Sequence, residues 1–111
     1  MSHSPKSLPI LQQITEKQSQ IEELCQRNQV ARLELFGSAT SNRFSETASD
    51  VDFLVEFAIN TPHGAADRFF GLKQGLSELL GYTIDLVEIQ TIKNPYFLEA
   101  IAPQRLQIYG T

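Results

Sequence analysis

The chain has no tryptophan, one methionine and one cysteine among its 111 residues. Cys25 cannot close an intramolecular disulfide and has no cysteine or histidine cluster beside it, which excludes a disulfide scaffold and a structural zinc site. Cations are also scarce, since nine Lys and Arg face 13 Asp and Glu, for a formal net charge of −4. A broad electrostatic grip on nucleic acid or anionic lipid needs clustered Lys and Arg, so neither direct nucleic-acid binding nor a membrane surface is expected. A local basic pocket is left open. No apolar run approaches the ~20 residues that span a bilayer. Residues Met1 to Ser7 are polar and lack the apolar centre of a signal peptide, so the expected address is the cytoplasm.

What remains is ordinary globular composition, 41% hydrophobic and 20% charged, enough to fold without staples. Against a prior of roughly 150 residues per domain, the length predicts a single domain over residues 8–111 after a disordered start at 1–7. Leu8 to Asn28 carries Ile10, Leu11, Ile14, Ile21, Leu24 and Cys25 at helical spacing, with a polar gap at Lys17 and Gln18 where a helix would break. Val30 to Phe36 alternates, with Leu33 and Leu35 on one face and Arg32, Glu34 and Phe36 on the other, and reads as a strand entering the Gly37-Ser38 turn. A Ser, Thr and Asn-rich loop follows. Asp50 to Phe57 is a second strand, dense enough in aliphatic residues to be buried on both faces. After a turn at Asn60 to Gly64, the residues Ala65, Phe69, Leu72, Leu76 and Leu79 mark an amphipathic helix that ends at Gly81. Tyr82 to Ile89 is a third strand, Asn94-Pro95 opens a short helix to Ile101, and Leu106 to Tyr109 is a closing strand. The order α-β-β-α-β-α-β predicts a single α/β (α+β) domain.

Three carboxylates stand out. Side chains two apart on a strand share a face, so Asp50 and Asp52 at the head of the second strand can hold one or two divalent cations. Glu56 lies further along that face. Asp85 sits between Ile84 and Leu86, where a purely structural strand would carry an apolar residue. If the second and third strands are neighbours, Asp50, Asp52 and Asp85 converge on one patch, a hard-cation site suited to magnesium and a nucleoside triphosphate. Gly37 and Ser38 supply the complementary half, a turn whose backbone approaches a phosphate closely and whose hydroxyl adds a donor. The plainer alternatives are a solvated strand entrance for Asp50 and Asp52, an ion pair of Asp85 with Arg32 or Lys73, and an ordinary turn at Gly37-Ser38. Cys25 reads as a core residue, His63 as a turn residue, and Tyr96 and Phe97 as packing residues.

Leu35-Phe36-Gly37-Ser38, the eleven residues from Ala39 to Ser49, and Ser49 to Phe57 together resemble the signature of the DNA polymerase β-like nucleotidyltransferase superfamily, in particular its minimal nucleotidyltransferase branch. The resemblance continues through Phe70 to Lys73, Tyr82 to Val87 and Lys93 to Tyr96, and so covers the chain from about Val30 onward. It implies the nucleotidyltransferase fold, a small mixed sheet with helices packed on it. It also implies that Gly37 and Ser38 bind the triphosphate of ATP, that Asp50 and Asp52 ligate Mg2+, and that Asp85 completes the metal site and helps activate an acceptor hydroxyl. Many relatives carry Ala-Arg-Gly after the Gly-Ser pair. Here the loop reads Ala39-Thr40-Ser41-Asn42-Arg43-Phe44, which matches a related pattern with Asn42 in place of glycine and Arg43 as the phosphate-contacting arginine.

Antibiotic-modifying and polymerising relatives carry additional acceptor-binding domains, whereas a chain of this size is expected to be of the stand-alone kind, which resembles the antitoxin of HEPN and minimal nucleotidyltransferase toxin–antitoxin pairs. It implies a HEPN-type ribonuclease toxin as protein partner in a hetero-oligomer, with AMP passed from ATP to a toxin tyrosine. The competing expectations are a binding antitoxin or subunit acting by occlusion alone, and a nucleotidyltransferase that modifies a small molecule with a separate helical subunit.

Overall fold

In the computed structural model, described over residues 10–36, 50–59, 61–92 and 105–110 with Tyr96 and Glu99, the centre is a four-stranded mixed sheet. Its strands are β1 (Val30–Phe36), β2 (Val51–Phe57), β3 (Ile84–Glu88) and β4 (Leu106–Tyr109), in the spatial order β3-β2-β1-β4. β1 runs antiparallel to both β2 and β4, whereas β2 and β3 are parallel. Parallel neighbours need a crossover, and α3 (Ala65–Leu80) supplies it.

Strand alternation sorts the side chains. Leu33, Leu35, Val51, Phe53, Val55, Phe57, Ile84 and Leu86 point to one face and join the core with residues from all three helices. Leu54, on the opposite face of β2, is fully buried as well, which is the two-sided burial that its composition predicts. That second face also carries the charged residues. Arg32 pairs with Glu56 directly across β1 and β2 at 3.3 Å. Glu34, expected on a polar face, is nearly buried, and its Oε1 accepts from Arg105 Nε at 3.0 Å and Nη2 at 2.5 Å. Leaving that carboxylate unpaired in the sheet would be costly, and the ion pair ties the approach to β4 onto β1.

The first helical stretch is divided at the polar gap into α1 (Ile10–Glu16) and α2 (Gln18–Arg27). Hydrogen bonding nevertheless runs through the break, because Lys17 N–H donates to the Gln13 carbonyl at 3.0 Å and Ile21 N–H to the Lys17 carbonyl at 2.9 Å. The Lys17 ammonium donates to the Leu79 carbonyl on α3. This swivel lets Ile10 and Ile14 of α1 and Ile21, Leu24 and Cys25 of α2 all reach the core. α2 lies close against α3 because residue 75 is glycine. A Cβ there would stand 2.4 Å from Leu24 Cδ1.

α3 ends as its sequence predicts. Gly81 adopts the left-handed conformation, with φ at 75°, and its N–H donates to the Ser77 carbonyl at 2.8 Å. The Ser77 hydroxyl donates to the Tyr82 carbonyl at 2.9 Å, so helix, cap and strand entry are joined within six residues. A 3-10 turn, Ile89–Thr91, follows β3. Of the short helix expected from Asn94 to Ile101, Tyr96 and Glu99 are described, both helical and both exposed. The 1–7 start lies outside the described residues. Among the described residues no helix is long and apolar enough to cross a membrane.

Two outcomes check this packing. Nothing lies within 4 Å of a Cβ placed at residue 81, so a Gly81→Ala change costs only the backbone conformation, and urea melts should show about 1 kcal/mol of lost stability. Burial, with a smaller contribution from Glu22, pushes the Cys25 thiol up to about 12. Native protein at pH 8 should therefore leave a disulfide reagent such as DTNB unreacted, and one thiol should titrate once the chain is unfolded.

Candidate active site

The site begins with strand register. Phe36, the last residue of β1, lies opposite Asp52, and Asp52 lies opposite Asp85 in the parallel ladder. Laterally paired residues share a face, so Phe36, Asp52 and Asp85 form one row across three strands. They lie on the face away from the helical core, at the end where β2 and β3 both start. Asp50, two residues before Asp52 and exposed, stands at the entrance to β2.

Two carboxylates side by side repel, and the repulsion adds to the burial of Asp52. Asp52 is half-buried, and its carboxyl is held above the ordinary aspartate value by burial first, then by the charges of Asp85 and Asp50, and finally by a hydrogen bond with the Asp85 carboxyl. Both plain explanations for Asp85 fail. Arg32 is engaged with Glu56, and among the described residues no Lys or Arg lies within ion-pair distance of Asp85. The charge that faces Asp85 is a like one.

The oxygen donors suit a hard divalent cation, which would screen the repulsion. The donor set is open rather than closed. Among the described residues no group of three His, Cys, Asp or Glu is gathered tightly enough to hold an ion. Asp52 and Asp85 meet, while Asp50 is felt at Asp52 as a charge without closing on the pair. Glu56, on the same face, is drawn away by Arg32.

Gly37, Ser38 and Arg43, the expected phosphate contacts, lie outside the described residues. The Arg105–Glu34 ion pair was not singled out from the sequence. Its partners are 71 positions apart and meet only because β4 joins β1, and the one available signal was a glutamate between two leucines within a strand.

Comparison with known proteins gives concordant matches. The family described as "Nucleotidyltransferase domain" matches residues 17–106. A Methanocaldococcus jannaschii protein named "Putative protein adenylyltransferase" is 38% identical over 96 residues, covering 86% of this chain and 92% of that protein. A solved structure described as a "putative minimal nucleotidyltransferase" superposes with a TM-score of 0.70 at 25% identity, over 86% of this chain and 93% of the other. A chain from the structure of a tri-AMPylated Shewanella oneidensis HEPN toxin in complex with MNT antitoxin shares the fold, with a TM-score of 0.59 at 22% identity, over 88% of this chain and 73% of that one.

If the Asp52–Asp85 juxtaposition is a strain on the fold, removing either charge should relieve it. Asp85→Asn is expected to raise Tm in metal-free buffer at neutral pH by a few degrees, in line with the roughly 0.2–1 kcal/mol that directly opposed like charges cost a sheet. Differential scanning calorimetry with EDTA reads it, and an unchanged or lowered Tm would contradict the reading.

Proposed function

Because the chain belongs to the nucleotidyltransferase domain family, we propose that this nucleotidyltransferase is the antitoxin of a two-protein system, passing AMP from ATP to a tyrosine hydroxyl of a HEPN ribonuclease toxin and thereby neutralising it. The observation that carries the reading is the lateral pair of Asp52 and Asp85, two carboxylates brought together with no Lys or Arg among the described residues in ion-pair distance to balance them. Likeness to a named protein adenylyltransferase and to a chain from an AMPylated toxin–antitoxin complex supports a protein acceptor. An acidic surface also suits docking on a basic ribonuclease. The pair would work in the cytoplasm, where ATP and magnesium are at hand.

In this reading Asp50, Asp52 and Asp85 hold Mg2+, Gly37 and Ser38 cradle the triphosphate through backbone N–H groups and a hydroxyl, and Arg43 contacts a phosphate. Bound magnesium supplies Lewis acidity, polarising the α-phosphate, steadying the pyrophosphate and lowering the pKa of the attacking hydroxyl. The protein's own part is to align and deprotonate. Asp85, exposed at the sheet edge, faces the incoming hydroxyl and accepts its proton, which passes on to water. The tyrosine oxygen bonds to the α-phosphorus as the bond to the bridging oxygen of pyrophosphate breaks. The ladder between β2 and β3, in which Val51 N–H donates to the Thr83 carbonyl, keeps Asp85 in register with Asp52, so acceptor and nucleotide meet at fixed positions.

Incubating the chain with ATP, magnesium and the toxin should add one or more AMP units to a toxin tyrosine, located by tandem mass spectrometry. An Asp50→Ala, Asp52→Ala variant should lose about a thousandfold or more of the rate, several kcal/mol of transition-state stabilisation. A tight complex with no AMP added by the wild-type chain would instead establish neutralisation by occlusion. Modification of a small molecule alone would move the acceptor off the toxin.

A further inference from the structure

We propose that the outer edge of β3 is where the acceptor polypeptide docks, adding itself to the sheet as an extended strand with the acceptor tyrosine opposite Asp85. The inference rests on the transfer reading above for its tyrosine, and on the sheet for its geometry.

β3 is an edge strand, and among the described residues nothing pairs with its outer side. Val51 N–H donates to the Thr83 carbonyl at 3.0 Å, so Thr83 turns its main-chain groups toward β2, and by the two-residue alternation so do Asp85 and Val87. Ile84 and Leu86 then turn theirs outward. An extended segment laid along this edge would satisfy those donors and acceptors, the mode by which sheets capture peptides.

Register decides which side chain goes where. The row Phe36, Asp52, Asp85 continues into whichever residue of the added strand pairs with Asp85, and that residue's side chain lies on the catalytic face. Strand spacing near 4.8 Å sets its backbone about 10 Å from β2. A serine or threonine hydroxyl would stay beside its own backbone, whereas a tyrosine can extend its hydroxyl over Asp85 toward the metal-binding carboxylates.

The residues before and after the acceptor point the other way, toward the helix layer. There the structure has a groove of about 340 Å³ lined by Phe70, Lys73, Gln74, Ser77, Thr83 and Ile84. Ile84 adjoins Asp85 in sequence, so the groove and the catalytic face are the two sides of one strand. Phe70 is 60% exposed, yet its ring stands edge-on to Phe69 with centroids 5.2 Å apart, and Phe69 packs on the core. An exposed aromatic beside an open strand edge is an anchor that an apolar neighbour of the acceptor would cover. The occupant is thus an extended segment with tyrosine at its centre and apolar residues on both sides of it.

Two capped peptides test this with the full chain, ATP and magnesium: Ac-Ser-Val-Tyr-Val-Ser-NH2 and Ac-Ser-Ser-Tyr-Ser-Ser-NH2. The valine-flanked peptide should be AMPylated with at least tenfold higher kcat/KM, carried by KM, and a Phe70→Ser variant of unchanged Tm should lose that preference. In parallel, NMR of the 15N-labelled chain should show the Leu86 amide becoming protected from exchange as the valine-flanked peptide is added. Equal transfer to both peptides by wild type and variant would overturn the docking site while leaving AMP transfer intact. Protection of Leu86 without transfer to any acceptor would uphold docking and overturn the transfer reading. Neither transfer nor protection would overturn docking too, as would a Leu86 amide already protected in a dimer of the peptide-free chain, since a second copy would then own the edge.

Discussion

The candidate site rests on one pairing, Asp52 against Asp85 in a parallel ladder. Left to themselves two carboxylates would separate, and they stay together because the residues on either side of them have no freedom to move. Val51 and Phe53 flank one aspartate, Ile84 and Leu86 the other, and all four are buried on the helix side. Burial of large apolar side chains, about 1.5–3 kcal/mol each, outweighs a like-charge repulsion of under about 1 kcal/mol. The core thus holds the charges in an arrangement that they would not choose, which is the common condition of a site awaiting its ligand.

The same balance accounts for the distribution of charge across the sheet. Arg32 with Glu56 and Arg105 with Glu34 neutralise the face below the aspartates, so unbalanced negative charge collects at the end where β2 and β3 start. Without the two arginines the potential would be smeared along the whole strand face rather than focused. The alternation of residues along β1 and β2 therefore carries two messages, apolar residues inward and paired ions outward, with buried Leu54 set between the ion pairs on the outward face.

Much of this was legible in the sequence. The spans of β1, β2 and β4, the break at Lys17 and the Gly81 cap each follow from local patterns, alternation in the strands and punctuation in the helices. That β2 and β3 are neighbours could be posed only as a condition, because strand order is set by contacts remote in the chain. The partners of Glu34 and Arg32 were hidden for the same reason. Periodicity places a charged side chain on a face without naming what will stand across from it. The grouping of Asp52 with Asp85 was anticipated, but the sequence could not show that Asp50 would remain outside the pair, since that depends on side-chain repulsion. Gly37, Ser38 and Arg43 remain where the sequence put them, as proposals.

The join between α3 and β3 has a mechanical meaning. Only Gly81, Tyr82 and Thr83 separate the helix from the strand, and the Ser77 hydroxyl is fastened across that gap to Tyr82. There is no slack to absorb a displacement. Phe70 and Gln74 lie on the exposed side of α3, so this short connection ties an outward-facing helix surface to the edge strand that carries Asp85, while Asp52 sits at the sheet centre between two strands. The helix and the start of the strand that carries Asp85 are thus one mechanical unit, joined without a flexible loop between them.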